Sequence, residues 1–357
     1  VSLLMAALLA LSVGAVSLAE AGQYELALVT DIGSIDDKSF NQGAWEGVSQ
    51  YAEEKGITYK YYQPEEQSDA AYLDSIQLAV EGGAKLIVTP GFMFGPAVFQ
   101  AQSLYPDVAF VLLDNIPTDP DNPDATDTIG KNVAAIAYAE EQAGYLAGYA
   151  VVKDGFTKLG FMGGFAVPAV VRFGYGFAQG ADAAAVELGL TDVTLNYQYM
   201  GTFGPTPDVQ TQAAAWYNDG VEVIFAAAGG AGNSVMAAAE AATGKYVVGV
   251  DGDQSGESAT VITSAMKGIK ASVYQAITGF YDGGFPGGVL TVLNAANDGV
   301  QLPMASSHFT KFTQADYDAI YAKIKADEGG IASAIQDEAD VADASQLALQ
   351  VVKITLY

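Results

Sequence analysis

From Tyr24 onward, short β-branched runs alternate with longer segments of helical period, and this restricts the chain to βαβ units built on parallel sheets. Strands are expected at 25–31, 57–62, 85–89, 108–113, 132–136, 158–162, 193–199, 221–227 and 246–250. Helices are expected near 40–55, 69–82, 94–104, 139–153, 168–188, 207–219 and 232–243. Gly56, Gly83, Gly155, Gly189, Gly220 and Gly244 each follow a periodic segment, as left-handed helix stops do.

The pattern breaks once, at 114–131 (DNIPTDPDNPDATDTIGK), where Pro and Asp replace apolar residues after four βα units. A chain of 357 residues has room for two cores, so this break is read as a crossing between lobes. The βα pattern then resumes from about 132 to 250, without a convincing sequence repeat. A strand Val261–Met266, a helix 268–282, the Gly-rich stretch Gly283–Gly288, a strand 289–293, a helix 313–326 and a last β-branched segment follow. The expected division is a first lobe of 23–115 plus 250–285 and a second of 130–248 plus 289–357, with crossings at 114–131 and 283–289. Residues 1–21 read as a signal-like segment for export, an uncharged apolar run followed by small residues.

Composition excludes several chemistries. The formal charge of −27 arises from 42 acidic against 15 basic residues, a balance that repels nucleic acid polymers. Without cysteine there are no disulfides, thiolate nucleophiles, Cys-bound metals or lipid-attachment cysteine, so lipid anchoring is not expected. With one histidine, His308, a His-based zinc site is disfavoured and any catalytic triad would have to use that residue.

Residues 31–47 (DIGSIDDKSFNQGAWEG) follow an apolar run and lead into an amphipathic segment, a strand-to-helix junction of the kind that faces the ligand crevice of α/β sheets. Asp36 and Asp37 are adjacent carboxylates, but Asp37 or Ser39 at the helix N-cap is the favoured reading. Phe40 and Asn41 offer an aromatic face and a bidentate amide, although Phe40 also suits packing on its own helix. Asp114 and Asp251 each end a buried strand at the crevice rim, where a carboxylate accepts from a ligand or a helix N-terminus. The segment DGDQSG (251–256) matches half a calcium loop but has Ile262 where a bidentate Glu belongs. AAAGGAGNS (226–234) lacks a phosphate-loop motif and suits close backbone approach to a neutral ligand. GYGFAQG (174–180) lies inside a helix. TSAMK (263–267) brings Lys267 to a strand end, to pair with Asp251, to donate to a ligand hydroxyl, or to sit solvated.

Taken together and in order, DDKSFNQGAWEG (36–47), EEQAGYLAG (140–148), IFAAAGGAG (224–232), VVGVDGDQ (247–254) and TSAMK (263–267) resemble the basic membrane protein family of ABC-transporter substrate-binding proteins, the PnrA-like nucleoside-binding group. The resemblance implies an α/β type I periplasmic-binding-protein fold, two Rossmann-like lobes with parallel sheets joined by three crossings. It implies a non-enzymatic, monomeric receptor without cofactor that carries nucleosides, purine nucleosides foremost, to an ABC permease in the membrane. It also implies an aromatic sandwich of Phe40 and Phe203 for the base, with Asn41 and Asp114 reading it, Asp251 and Lys267 binding ribose hydroxyls, and Gly229 or Gly230 at the close backbone approach. The alternatives are the same fold binding a sugar, an amino acid or a signalling ligand, and a nucleoside hydrolase or phosphorylase using paired Asp residues.

Overall fold

The computed structural model describes residues 23–357, so the signal-like segment lies outside the described residues. Strands are β1 Leu26–Val29, β2 Tyr59–Tyr62, β3 Leu86–Pro90, β4 Ala109–Leu113, β5 Val133–Tyr138, β6 Lys158–Gly163, β7 Val193–Tyr199, β8 Val223–Ala227, β9 Tyr246–Asp251, β10 Val261–Lys267, β11 Val289–Leu293, β12 Val300–Gln301 and β13 Val352–Leu356. Helices are α1 Phe40–Lys55, α2 Asp69–Glu81, α3 Gly95–Leu104, α4 Glu140–Asp154, α5 Pro168–Glu187, α6 Pro207–Asn218, α7 Gly232–Glu240, α8 Ile269–Asp282 and α9 Gln314–Lys325. All six expected glycine stops take positive φ, among them Gly56 at 68° and Gly155 at 111°.

The strands form two sheets, in the orders β11-β5-β4-β3-β1-β2 and β12-β10-β9-β8-β6-β7-β13. Every pairing is parallel except the short β10–β12 pair. Central strands β1, β3, β4 and β8 are buried along their whole length, because helices cover both faces of each sheet.

Sheet membership departs from the expected division. β5 and β11 belong to the first sheet and β10 to the second, while β9 lies in the second sheet as expected for its residues up to 248. The segment 114–131 is therefore a connection between neighbouring strands β4 and β5 of one sheet, not a crossing. Parallel neighbours usually need a helical crossover, but here side-chain amides hold an irregular one. Gln102 donates to Thr128 O at 2.9 Å and accepts from Gly130 N–H at 2.8 Å, and Asn132 donates to the carbonyls of Gln102, Tyr105 and Val108. The stretch 283–289 is the turn from α8 to β11 within the first lobe. The chain passes between lobes at Tyr138–Glu140, at Lys267–Ile269 and between Leu293 and Val300. These passages are tied together: Ala139 N–H donates to Leu293 O and Gly268 N–H to Gly299 O, each at 2.9 Å.

The second lobe is organised by the contact between α4 and α5. Gly144 and Gly148 of α4 lie against the Phe173 and Phe177 carbonyls, while Gly176 and Gly180 of α5 lie against the Glu141 and Tyr145 carbonyls. A Cβ at any of the four would overlap backbone oxygen. GYGFAQG is thus one half of a reciprocal glycine seam, and the seam brings Glu140 and Phe173 to the interlobe crevice. Gly148→Ala is expected to lower stability by about 1–3 kcal/mol through overpacking, although alanine's helix propensity favours it by about 1 kcal/mol. Urea unfolding measures the difference, and an unchanged midpoint would show that the seam tolerates separation.

Candidate functional site

Both sheets direct their strand C-terminal ends into the crevice, where open α/β sheets bind ligands. A partly open cavity lies there, walled by residues of both lobes. Phe40, Asn41, Asp114, Phe203, Gly229, Gly230, Asp251 and Lys267 all line it.

At one end stands Lys267, the last residue of β10 and only 5% exposed. Its ammonium donates to Asp114 Oδ2 at 2.6 Å and Glu140 Oε1 at 3.0 Å and lies 3.8 Å from Asp251 Oδ1. The rings of Phe40 and Tyr138 stand 4.5 and 4.9 Å from it. Burial opposes its charge, but the three carboxylates outweigh burial and hold its pKa above the ordinary lysine value. The lysine is therefore neither solvated nor paired chiefly with Asp251; Asp114 and Glu140 are its close partners. Glu140 continues the chain of charges to Arg172 at 3.3 Å, and Arg172 grips Glu338 through two nitrogens at 3.1 and 2.5 Å. The C-terminal segment is thereby fastened to α5, which carries Phe173 into the cavity wall.

Asp114 and Asp251 share an uncommon backbone, with φ of 61° and 66°. Each turns out of its strand in the left-handed region, which Asp and Asn enter more readily than other non-glycine residues. Burial raises the Asp114 carboxyl to about 7 against the opposing pull of Lys267, with Glu140 pushing it further up. Burial also raises Asp251, while Lys267 and the Ser39 hydroxyl, which donates to it at 2.5 Å, lower it. Ser39 belongs to the first lobe, so this bond spans the crevice. Gln254 adds a second bridge, donating to Lys38 O at 2.8 Å.

The start of α1 is capped by Asp37, which accepts from the N–H groups of Ser39, Asn41 and Gln42 at 2.8–3.1 Å. Asp36 faces solvent and bonds Ser34. The Asn41 amide is already engaged, donating to Asp31 Oδ1 at 2.9 Å and Asp37 Oδ2 at 3.0 Å. It braces Asp31 instead of presenting a free bidentate edge. Burial raises Asp31 to about 6 despite bonds from Gly33 N–H and Asn41. Phe40 serves both readings, since it packs against the first-lobe core and lines the cavity. Phe203 lies against Gly164, meets Phe165 edge-on at 5.3 Å, and accepts from Ala231 N–H through its carbonyl at 2.9 Å.

Asp31, Phe92, Met93, Val170 and Phe173 also line the cavity and were not singled out from sequence. Asp31 had a usable signal: it ends the β1 run just as Asp114 and Asp251 end theirs. His308 is exposed and does not line the cavity. Among the described residues no group of His, Cys, Asp and Glu is arranged to hold a metal ion.

Comparison with known proteins decides the family. A model described as ABC transporter substrate-binding protein PnrA-like matches residues 24–334. The chain belongs to this family. Its members are substrate-binding proteins, not enzymes, and the two-lobed parallel architecture accords with that role. The chain is 33% identical to the ABC transporter nucleoside-binding protein BmpA of Lactococcus lactis subsp. cremoris, over 77% of this chain and 80% of the relative. It is 31% identical to the CD4+ T-cell-stimulating antigen of Listeria monocytogenes, over 81% of this chain and 82% of that protein. Among solved structures it is similar to an ABC transporter solute-binding protein from Aeropyrum pernix K1, with a TM-score of 0.68 at 25% identity over 86% of this chain and 80% of the other. A second, from Conexibacter woesei, has a TM-score of 0.64 at 22% identity, covering 85% and 97% of the two chains, and bears on the fold alone.

Proposed function

We propose that the protein is an extracytoplasmic, monomeric receptor that captures nucleosides, preferentially purine nucleosides, between its lobes and delivers them to an ABC permease in the membrane. The observation that carries this reading is the polarity of the cavity. Asp114, Asp251 and Lys267 form a charged cluster suited to vicinal hydroxyls, with the Phe40 ring beside it, whereas Asp31 and Phe203 supply an acidic and an aromatic group suited to a flat base with N–H donors. Asp114 then belongs with the sugar, because its carboxylate is joined to Lys267, and Asp31 takes its place beside the base. A lining of four aspartates and one lysine disfavours phosphorylated ligands. The lactococcal relative's nucleoside binding supports the same reading.

Isothermal titration against nucleosides, free bases, nucleotides and sugars tests it, and the absence of heat with every nucleoside would refute it. Phe40→Ala is expected to weaken nucleoside binding at least tenfold, since stacking on an aromatic contributes about 1–3 kcal/mol per base. Asp251→Asn keeps a residue at ease in the left-handed region and is expected to weaken binding by a similar factor through loss of charge-assisted hydrogen bonds. Normal binding by both variants would displace the site while leaving the fold intact.

A further inference from the structure

A side pocket opens from the Asp31 end of the crevice. It shares Asp31, Met93, Val167 and Phe203 with the main cavity and contains about 590 Å³ of empty space, part of it open to solvent. Its remaining wall includes Ile32, Gln67, Tyr72 and Phe165. Asp31 takes its hydrogen bonds from Gly33 and Asn41, and Lys267 gives its own to Asp114 and Glu140 and does not line the side pocket.

Tyr72 is the unusual member. It is 1% exposed, lines the pocket, and its hydroxyl has no hydrogen-bond partner among the described residues. A buried hydroxyl left without a partner costs about 1–3 kcal/mol; of the six buried side-chain atoms left so among the described residues, Tyr72 is the one in this pocket's wall. Burial and the charge of Asp31 hold the phenol protonated, so it remains a donor in need of an acceptor. Ile32, Met93 and Phe165 supply apolar surface around it, and no lysine or arginine lines the pocket to welcome an anion.

We propose that this pocket receives a neutral, partly apolar substituent carried on the exocyclic nitrogen of the base, with an acceptor oxygen placed for the Tyr72 hydroxyl. The ligand class then includes N6-substituted purine nucleosides as well as the parent compounds. This rests on the nucleoside reading above: with the sugar at Lys267, the six-membered ring of a purine points toward Asp31 and its exocyclic group toward the side pocket.

The test is titration calorimetry on the full chain with adenosine, N6-benzyladenosine and N6-furfuryladenosine, the last of which carries an ether oxygen. Both substituted nucleosides are expected to bind within threefold of adenosine or more tightly. Tyr72→Phe is expected to weaken the furfuryl compound about fivefold and leave the benzyl compound unchanged. Ala166→Trp and Ile32→Trp, which fill the pocket from its rim, are expected to weaken both substituted compounds at least 30-fold while adenosine changes less than threefold. If adenosine binds but both substituted compounds bind 100-fold more weakly, the pocket proposal is overturned and the nucleoside reading stands. If no nucleoside binds, the nucleoside reading fails and takes the pocket proposal with it.

Discussion

Replacing Lys267 by methionine is expected to lower the stability of the unligated protein by about 3–5 kcal/mol at neutral pH, the usual cost of removing one partner from a buried charge cluster. Methionine preserves much of the side chain's length and apolar contact with Phe40 and Tyr138, so the loss isolates charge. Without the ammonium, Asp114, Glu140 and Asp251 face one another with little access to water. With the lowering influence of Lys267 gone, the Asp114 and Asp251 carboxyls rise further in the folded variant, which therefore binds more protons than its unfolded chain. Stability lost at pH 7.5 returns as the pH falls toward 5. Urea unfolding of both proteins at the two pH values measures this. A deficit that does not shrink with acidification would mean that packing, not charge, is what the lysine supplies. Ligand binding is expected to disappear in the variant at either pH.

The second large effect concerns Asp31. Its carboxyl is raised to about 6 from an ordinary 3.8, so between these values the folded protein holds a proton that the unfolded chain releases. The resulting stability is fully present below pH 3.8, and is lost as pH rises through about 6. The interval corresponds to about 3 kcal/mol at most, an upper bound because the residue keeps some exposure to water. Relative to Asp31→Asn, the wild type is thus expected to gain stability on acidification from pH 7 to 4. Subtracting the variant's curve removes the contribution of the other acids. Parallel curves would place the Asp31 pKa near its ordinary value. Nucleoside binding is expected to move the other way, weakening below pH 6 as the acceptor toward the base becomes protonated.

The alternation of apolar runs and periodic segments was enough to read nearly every strand and helix, because βα units are defined by local patterning and local glycine stops. The lobes were not legible in the same way. A break in composition at 114–131 looks like a domain boundary only if each parallel neighbour requires a helix, and Gln102 and Asn132 remove that requirement through bonds made across 24–30 residues. The true passages, at Ala139 and Gly268 and around Asn294, are short and carry no Pro- or Asp-rich signature. In the crevice, strand-ending Asp114 and Asp251 were visible from position alone. The partnership of Lys267 with Glu140 was not, since it depends on a glycine seam that brings α4 against α5 and on a separation of 127 residues. Asn41 shows the converse: its amide was a good recognition group by type, yet the fold spends both donors on Asp31 and Asp37.

The left-handed backbone at Asp114 and Asp251 narrows what these positions can become by drift. Glycine would keep the conformation and lose the carboxylate, while glutamate would keep the acid on a residue poorly suited to that conformation. Asparagine is the one neighbour that satisfies backbone and size together, and codon changes between the two need only a single base. Variation at these positions across related chains is therefore expected to be confined almost wholly to Asp and Asn, and an Asn at either would change the charge of the crevice without any rebuilding of the strand ends.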